Sequence, residues 1–315
     1  MPIPQQIGIY TIEAHVGEWN LAEVYKAFDP ALKRTVTLKV LRAEALPKGV
    51  STRMFLDRAQ SAIELVHPHL AWLWETGEAE GLCFLVERYV EGQRLDQMLS
   101  SSDALEWQAA EAVLQQVAKG LEFAHSRGYA HGDIRPGNIL ISPELGAVLT
   151  DFGLAIALQG GMSASQYRSP ELSAGRFPSP ASDQYALACV LMEMLTGGKP
   201  PEGGSAEEIH SWHLQNLNSL ESLPRAIPWQ AIPAIRRALA RDPGQRFPTI
   251  GEFAGEPARL VIGGGHERQQ YEAAAESLRQ AEEEARRQAE EASRLEALER
   301  ARIEMQEELA RSSKW

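Results

Sequence analysis

The chain has 315 residues, 44% of them hydrophobic, and a formal net charge of −12. This is enough apolar material for a sizeable core in about two structural units. The acidic balance gives nucleic acid no general attraction, so we expect no nucleic-acid partner. Cys83 and Cys189 stand in apolar runs without metal-ligand spacing, which favours buried thiols in a reducing, cytoplasmic setting. The sequence predicts neither a membrane span nor a signal peptide.

The first ~110 residues favour β-strands. The segments 35–41 (TVTLKVL) and 82–90 (LCFLVERYV) are β-branched or apolar runs bounded by turn residues, a pattern typical of strands. A helix is predicted between them at about 52–65, with the pair His67-Pro68 after its end.

Helices dominate from residue 106 onward. The segment 106–128 has apolar residues at helical spacing and ends in Gly128, while 182–198 is nearly all apolar, as expected for a buried helix. A strand-rich part followed by a helical part, with polar motifs at the junction, predicts an α+β fold with a cleft.

The composition changes sharply near residue 260. Glycines fill 263–265, and the chain beyond them has no Pro or Gly and is rich in Ala, Glu, Arg and Gln. We predict a folded domain over 1–258, a glycine-rich linker over 259–265 and one long polar helix over 266–315. The apolar spacing of this tail is an imperfect heptad, so the tail is either a solvated single helix or a weak coiled coil that joins two copies or docks on a partner.

Four polar residues match what phosphoryl transfer from ATP requires. The reaction needs a cation for the phosphates, two oxygen-bearing side chains for Mg²⁺ and a carboxylate that orients the acceptor hydroxyl. Lys39 lies on a predicted strand, Asp133 and Asn138 lie five residues apart in HGDIRPGN, and Asp151 opens the sequence DFG. Each signal alone is weak, but their order, spacing and context together favour this chemistry.

In these motifs the sequence resembles the eukaryotic-type protein kinases, especially their bacterial Ser/Thr branch, over about residues 8–258. TVTLKV resembles the strand that bears the ATP-contacting Lys, HGDIRPGN the catalytic loop, and SPE at 169–171 the end of the activation segment. The resemblance implies a bilobal fold with a small β-rich N-lobe and a larger helical C-lobe, ATP and Mg²⁺ as cofactors, and a protein substrate or regulated partner protein.

The resemblance also implies a role for each matching position. The predicted site residues are Asp133, Arg135 and Lys39 for catalysis, Asn138 and Asp151 for the metal, and Gly17, Val24, Lys39, Glu87, Tyr89 and Leu140 for the nucleotide. Two structural pairings are implied as well. Asp183 should brace the backbone of the catalytic loop, and Arg246 should pair with Glu171.

Some departures from the family pattern concern the cover of the nucleotide. Of the three glycines expected in the phosphate-covering hairpin 16–24, only Gly17 is present, and Trp19 and Ala22 replace the others. Trp19 either packs on the hairpin or occludes the nucleotide pocket, since its side chain is far bulkier than glycine. Thr37 stands where a small Ala usually covers the adenine.

The family's helix Glu, which pairs with the strand Lys, is replaced by Arg58. At ~4 Å the two cations would repel by roughly 4 kcal/mol at an effective dielectric of about 20. Glu87 stands where the family usually has a buried apolar residue, and a buried carboxylate needs a partner. We therefore hypothesise that Glu87 pairs with Lys39 in place of the helix Glu and also binds Arg58; the alternative is an unrelated surface pair.

Further departures lie in the catalytic loop and the activation segment. Gly132 replaces the Arg that pairs with a phosphorylated segment, so activation of that kind is not expected. Arg135 replaces a Lys, keeping the charge but not the geometry. Ala164 replaces a Thr that bonds the catalytic Asp, with Ser163 or Ser165 as candidate substitutes.

Two functions therefore stay open. The departures affect positioning rather than the chemical groups, so the first is a Ser/Thr protein kinase with weak or conditionally assembled activity. The second is a pseudokinase scaffold that binds nucleotide and signals through the tail helix and partner proteins. We further hypothesise that the tail over 266–312 joins two copies and that dimerisation presses the helix with Arg58 inward to assemble the site.

Overall fold

A computed structural model of the chain describes residues 4–19, 22–42, 46, 50–101, 104–158, 166–219, 228 and 231–261. The first part forms a six-stranded antiparallel sheet in the order β1-β2-β3-β4-β6-β5. Its strands are β1 (Gln6–Ile7), β2 (Tyr10–Trp19), β3 (Ala22–Asp29), β4 (Arg34–Leu41), β5 (Leu73–Ala79) and β6 (Leu82–Arg88). The predicted strands at 35–41 and 82–90 correspond to β4 and β6.

One helix, which lies between β4 and β5 in the chain, packs against this sheet. α1 (Thr52–Ala59) begins after Ser51, whose side-chain oxygen accepts a hydrogen bond from the backbone N–H of Met54 at 3.2 Å. Such a cap satisfies a backbone donor that the first helical turn leaves free. A 3-10 turn over Gln60–Glu64 continues α1, so the helix predicted at 52–65 is present with a tighter final turn.

The second part of the chain is mainly helical. Its helices are α2 (Leu95–Ser101), α3 (Trp107–His125), α4 (Phe152–Leu158), α5 (Pro170–Ser173), α6 (Pro180–Thr196), α7 (Ala206–Ser219), α8 (Ala231–Ala238) and α9 (Ile250–Val261). The predicted helices at 106–128 and 182–198 correspond to α3 and α6, and α6 is buried along nearly its whole length. A small antiparallel sheet contains β7 (Gln93–Arg94), β8 (Ile139–Ser142) and β9 (Gly146–Leu149).

Backbone contacts join the strand-rich lobe to the helical lobe beside the DFG sequence. Leu70, shortly before β5, forms a parallel bridge with Leu149 at the end of β9. The backbone N–H of Leu149 donates to the carbonyl of His69, and that of Ala71 donates to the carbonyl of Leu149, both at 2.9 Å. These bonds fix the start of the DFG segment at the junction of the lobes, as the predicted α+β, bilobal fold requires.

The predicted tail helix at 266–315 lies outside the described residues, so the coiled coil stays a prediction. α9 extends to Val261, three residues into the predicted linker at 259–265, and the rest of that linker is also outside the description. Over the described ranges, no helix combines the length and apolar character needed to cross a membrane.

Candidate active site

Strand register brings several predicted nucleotide-binding residues into one row. Gly17 on β2 pairs with Val24 on β3, Val24 pairs with Lys39 on β4, and Lys39 pairs with Leu85 on β6. Directly paired residues of antiparallel strands share a face of the sheet. Gly17 has a φ of 152°, which residues with a side chain rarely adopt, so this position of the hairpin requires glycine.

Lys39 lies between two carboxylates in a buried site. Its Nζ donates to Oε2 of Glu87 at 2.5 Å and also to Oδ1 of Asp151. The exposed fractions of Lys39, Glu87 and Asp151 are 3%, 2% and 2%. Because Glu87 pairs with Thr37, two residues before Lys39, it stands diagonal to Lys39 on the same face. The predicted pair of Glu87 with Lys39 is therefore present.

The ionisation of this cluster reflects burial and mutual attraction. Burial raises the pKa of Glu87 to about 7, although the Lys39 charge acts in the opposite direction. Burial favours the neutral amine of Lys39, but the charges of Asp151 and Glu87 outweigh it and hold the pKa of Lys39 above its ordinary value. Lys39 is thus a charged ammonium that lies between two buried carboxyl groups.

The second half of the Glu87 hypothesis, a bond to Arg58, is wrong. Nη1 of Arg58 donates to the backbone carbonyl of Ala157 at 3.3 Å. Oε1 of Glu87 is buried and has no hydrogen-bond partner within the described ranges. The reason is α4, which follows Asp151 directly and packs on α1. The carbonyl end of α4 carries partial negative charge. It binds the guanidinium of Arg58, which was expected to bind Glu87.

The predicted catalytic-loop residues converge on Asp133. Nδ2 of Asn138 donates to the backbone carbonyl of Asp133 at 2.8 Å and to its Oδ2 at 3.0 Å, and Nε of Arg135 donates to the same Oδ2 at 3.3 Å. Burial raises the pKa of Asp133, whereas the charges of Arg135 and His131 lower it. The cluster therefore orients one buried carboxylate with two side-chain donors.

The two predicted metal ligands flank the β8–β9 hairpin. Asn138 directly precedes β8, Asp151 follows β9, and the backbone N–H of Thr150 donates to the carbonyl of Asn138 at 2.9 Å. An amide oxygen and a carboxylate suit Mg²⁺, which usually takes one or two protein ligands besides phosphate and water. The donor set fits this metal, and no group of three or more His, Cys, Asp or Glu that could hold a metal occurs within the described ranges.

Comparison with known proteins shows the family. The model of the protein kinase domain matches residues 10–257. The chain belongs to the protein kinase family.

Bacterial Ser/Thr kinases are among the relatives of this chain. A probable serine/threonine-protein kinase PknB from Bifidobacterium longum is 33% identical over 288 residues, which cover 84% of this chain and 41% of the relative. Serine/threonine-protein kinase PrkC from Bacillus subtilis is 34% identical over 255 residues, or 78% of this chain and 39% of the relative. The chain thus spans about two fifths of the length of these relatives.

Solved structures agree with this assignment. The crystal structure of the Mycobacterium tuberculosis PknI kinase domain superposes with a TM-score of 0.65 at 27% identity, covering 81% of this chain and 97% of that chain. The resemblance to eukaryotic-type kinases of the bacterial branch is confirmed, and family membership implies ATP and a divalent metal as cofactors.

Asp183 braces the backbone of the predicted catalytic loop, as expected. Its Oδ2 accepts a hydrogen bond from the backbone N–H of His131 and its Oδ1 from that of Gly132, both at 2.7 Å. Nε2 of His125, at the end of α3, lies 2.8 Å from Oδ2 of Asp183. His125 was not among the predicted residues, because nothing in its sequence surroundings distinguishes it from an ordinary helix-terminal His.

The chain also forms the predicted pair of Arg246 with Glu171. Nη1 and Nη2 of Arg246 lie 2.6 and 2.9 Å from the two carboxylate oxygens of Glu171, a bidentate arrangement. Burial raises the pKa of Glu171, but the bonds and charge of Arg246 outweigh it and hold the pKa below its ordinary value. This pair anchors α5, at the end of the activation segment, to the helical lobe.

The remaining predicted residues of the kinase site are placed less centrally. Tyr89 is half-buried, with Nζ of Lys26 5.1 Å from its ring centroid, and Leu140 packs beside a small apolar cluster. The side chain of Trp19 and the residues 159–165, with Ala164 and its neighbours, lie outside the description. The proposals that concern them stay predictions.

Gly132 occupies a conformation and a space that Arg does not fit. Its φ is 77°, and a Cβ atom there would lie 2.6 Å from Cγ of Pro178. We expect Gly132→Ala to lower the free energy of unfolding by about 2 kcal/mol or more, because the left-handed backbone costs roughly 1–2 kcal/mol and overpacking adds to it. Urea unfolding measures the loss.

Gly128→Ala is the matched control for this substitution. Gly128 has a φ of 83°, and nothing lies within 4 Å of the position that its Cβ would take. The loss of unfolding free energy in Gly128→Ala therefore measures the cost of the left-handed backbone alone. Equal losses in the two variants would show that Pro178 does not restrict this position.

Proposed function

We propose that the chain is a Ser/Thr protein kinase domain that transfers the γ-phosphate of ATP to protein Ser or Thr side chains, with weak or conditionally assembled activity. One observation carries the proposal. The base candidate Asp133 is bonded to the metal-ligand candidate Asn138, and the phosphate-binding candidate Lys39 is bonded to the second metal-ligand candidate Asp151. Chemically different groups that one reaction needs thus stand at one junction between the lobes.

Asp133 is the residue that orients the acceptor hydroxyl and accepts its proton. Asn138 and Arg135 hold its carboxylate, so the carboxylate is oriented before substrate arrives. Its raised pKa, caused by burial, makes it a stronger proton acceptor than an exposed Asp. The guanidinium of Arg135 is partly exposed and places positive charge beside Asp133, where charge moves during transfer.

Asn138 and Asp151 would hold Mg²⁺, and Lys39 would hold the phosphates of ATP. The metal supplies neutralisation of the phosphate charge when bound. Glu87 gives Lys39 a partner that does not depend on Asp151, so the ammonium stays in place whichever group the Asp151 carboxylate binds. The contact of Asp151 with Lys39 competes with metal binding, which supports an activity that is weak until this contact loosens.

Nucleotide binding is the first test. If ATP with Mg²⁺ is present at about 100 times its Kd, the native state gains about 2.7 kcal/mol, which raises Tm by roughly 5–11 °C for a domain of this size. Asp151→Asn should remove the part of the shift that needs Mg²⁺. Asp57→Asn, which changes a carboxylate with 69% side-chain exposure on α1, should leave the shift intact.

The second candidate function is a pseudokinase scaffold. It is supported by the bonds of Lys39 to both Glu87 and Asp151, because each of these carboxyl groups is already paired with a cation of the protein. A scaffold that does not use nucleotide would show no Tm shift at millimolar ATP and Mg²⁺. Binding without transfer of labelled phosphate would support the nucleotide-binding form of the scaffold. Pairing of two copies through 266–312 stays a prediction under either function.

A further inference from the structure

Arg58 is the only charged side chain of α1 that bonds to α4 among the described residues. Its Nη1 reaches the carbonyl of Ala157, one residue before the end of α4, at 3.3 Å. Arg53 on the same helix points to solvent, with 92% of its side chain exposed and a contact of 4.0 Å to Asp57. The two arginines of α1 therefore have very different surroundings.

α4 depends on such contacts for its existence. It has seven residues, far fewer than the ~12–15 that an isolated helix needs to be even marginally stable in water. Ala157 and Leu158 are buried, and α4 packs on α1 and on the 3-10 turn at Gln60–Glu64. The segment is held by its neighbours, and the Arg58 bond is the polar part of that support at its carbonyl end.

The residue directly before α4 belongs to the candidate site. Asp151 directly precedes α4 and has a φ of 71°, a left-handed conformation that is uncommon for a residue with a side chain. Such a conformation persists only where the surroundings impose it. If α4 opened, the constraint on Asp151 would be released on its C-terminal side, and its bond to Lys39 would lose one of its supports.

We propose that Arg58 is a positioning residue that couples α1 to Asp151 through α4. In the resembled family pattern a helix Glu links this helix to the site through the strand Lys. Here Lys39 takes its second partner, Glu87, from the sheet, so movement of α1 cannot act through that ion pair. Arg58 restores a link by another route, from α1 to the carbonyl end of α4 and from there along the backbone to Asp151.

Hydrogen exchange measured by mass spectrometry tests the link in the full chain without nucleotide. Arg58→Ala should speed exchange of the amides in 152–158 about fivefold, as expected for loss of one net hydrogen bond to a segment that opens locally. Arg58→Met keeps the apolar stem and removes the donors, so it should act likewise even if the alanine variant folds poorly. Arg58→Lys keeps the charge and should recover part of the protection.

Arg53→Ala is the control and should leave exchange in 152–158 unchanged. Unchanged exchange in the Met variant, or equal acceleration in the Arg58 and Arg53 variants, would overturn the proposal. A kinetic readout rests on the proposed function: loss of positioning should lower kcat more than it raises KM for ATP. The exchange result requires no phosphotransfer, so failure of the link and failure of the proposed reaction are separate outcomes.

Discussion

Asp133→Asn is expected to lower phosphate transfer by about 10²–10⁴-fold, because it removes the carboxylate proposed to accept the proton. The side-chain oxygen of Asn can still accept the bonds that Asn138 and Arg135 donate to Asp133. Binding of ATP with Mg²⁺ and overall stability should therefore change little. Transfer of labelled γ-phosphate to the chain itself and to a Ser/Thr-rich test protein such as casein measures the effect.

A matched carboxylate substitution keeps this experiment interpretable. Asp57→Asn removes one negative charge from an exposed position of α1 and should retain wild-type transfer. If the Asp133 variant transfers phosphate as fast as the wild type, Asp133 is not the base. If wild-type and variant both show only background transfer while ATP still binds, the nucleotide-binding scaffold is the better description of the chain.

The proximity of the candidate site residues was predictable because the proposed reaction restricts both their type and their order. Lys39, Asp133, Asn138 and Asp151 are proposed as the cation, the base and the metal ligands. Backbone bonds around Thr150 and Leu149 position the β8–β9 hairpin, and Lys39 bonds to Asp151. The pair of Glu87 with Lys39 was also predictable from the sequence. A buried carboxylate on the strand next to Lys39 has few cations available, and pairing between the strands settles which one it meets.

The partner of Arg58 could not be predicted, because it depends on a helix whose sequence carries no strong helix signal. The segment FGLAIAL of α4 is short, contains Gly153 and has no charged residue in its first or last turn. Tertiary packing on α1 rather than intrinsic propensity forms it. Without α4, the nearest anion expected for Arg58 was Glu87, and the backbone carbonyl of Ala157 could not be foreseen.

The reason for Gly132 likewise appears only in three dimensions. From the sequence, its presence could be described as the loss of a phosphate-pairing Arg. The structure adds a backbone of positive φ and the ring of Pro178 close to the position of a Cβ atom. A glycine there is a steric requirement of this loop, so a change to Arg alone would not install the missing regulation.

The largest loss of stability is expected from Lys39→Met. Lys39 is the cation bonded to both Glu87 and Asp151. Its removal takes the Lys39 charge away from two buried carboxyl groups. Breaking a buried pair from one side typically costs about 3–5 kcal/mol, which corresponds to a Tm decrease of roughly 6–20 °C for a domain of this size. Thermal unfolding followed by circular dichroism measures it.

The deficit of the Lys39 variant should grow with pH. In the wild type the pKa of Glu87 is about 7, against an ordinary value of 4.5, and loss of the Lys39 charge raises it further. A carboxyl group whose folded pKa lies above its unfolded pKa contributes stability that is present below the unfolded value and is lost as the pH rises through the folded value. The variant should therefore be closest to wild type near pH 5 and furthest from it near pH 8.

A double-mutant cycle separates the Lys39–Glu87 contact from general damage to the core. Glu87→Leu alone should cost less than Lys39→Met, because Lys39 keeps Asp151 as a partner. The double variant Lys39→Met/Glu87→Leu should recover the part of the loss that comes from Glu87, since an apolar pair of similar volume often replaces a buried ion pair without penalty, while Asp151 still lacks Lys39. Lys26→Met, at a Lys with 37% side-chain exposure that lies 3.5 Å from Glu13, should change stability by less than about 1 kcal/mol.

Additive losses in the cycle would mean that Glu87 and Lys39 contribute no coupling energy, and the replacement of the helix Glu by Glu87 would then have no energetic basis.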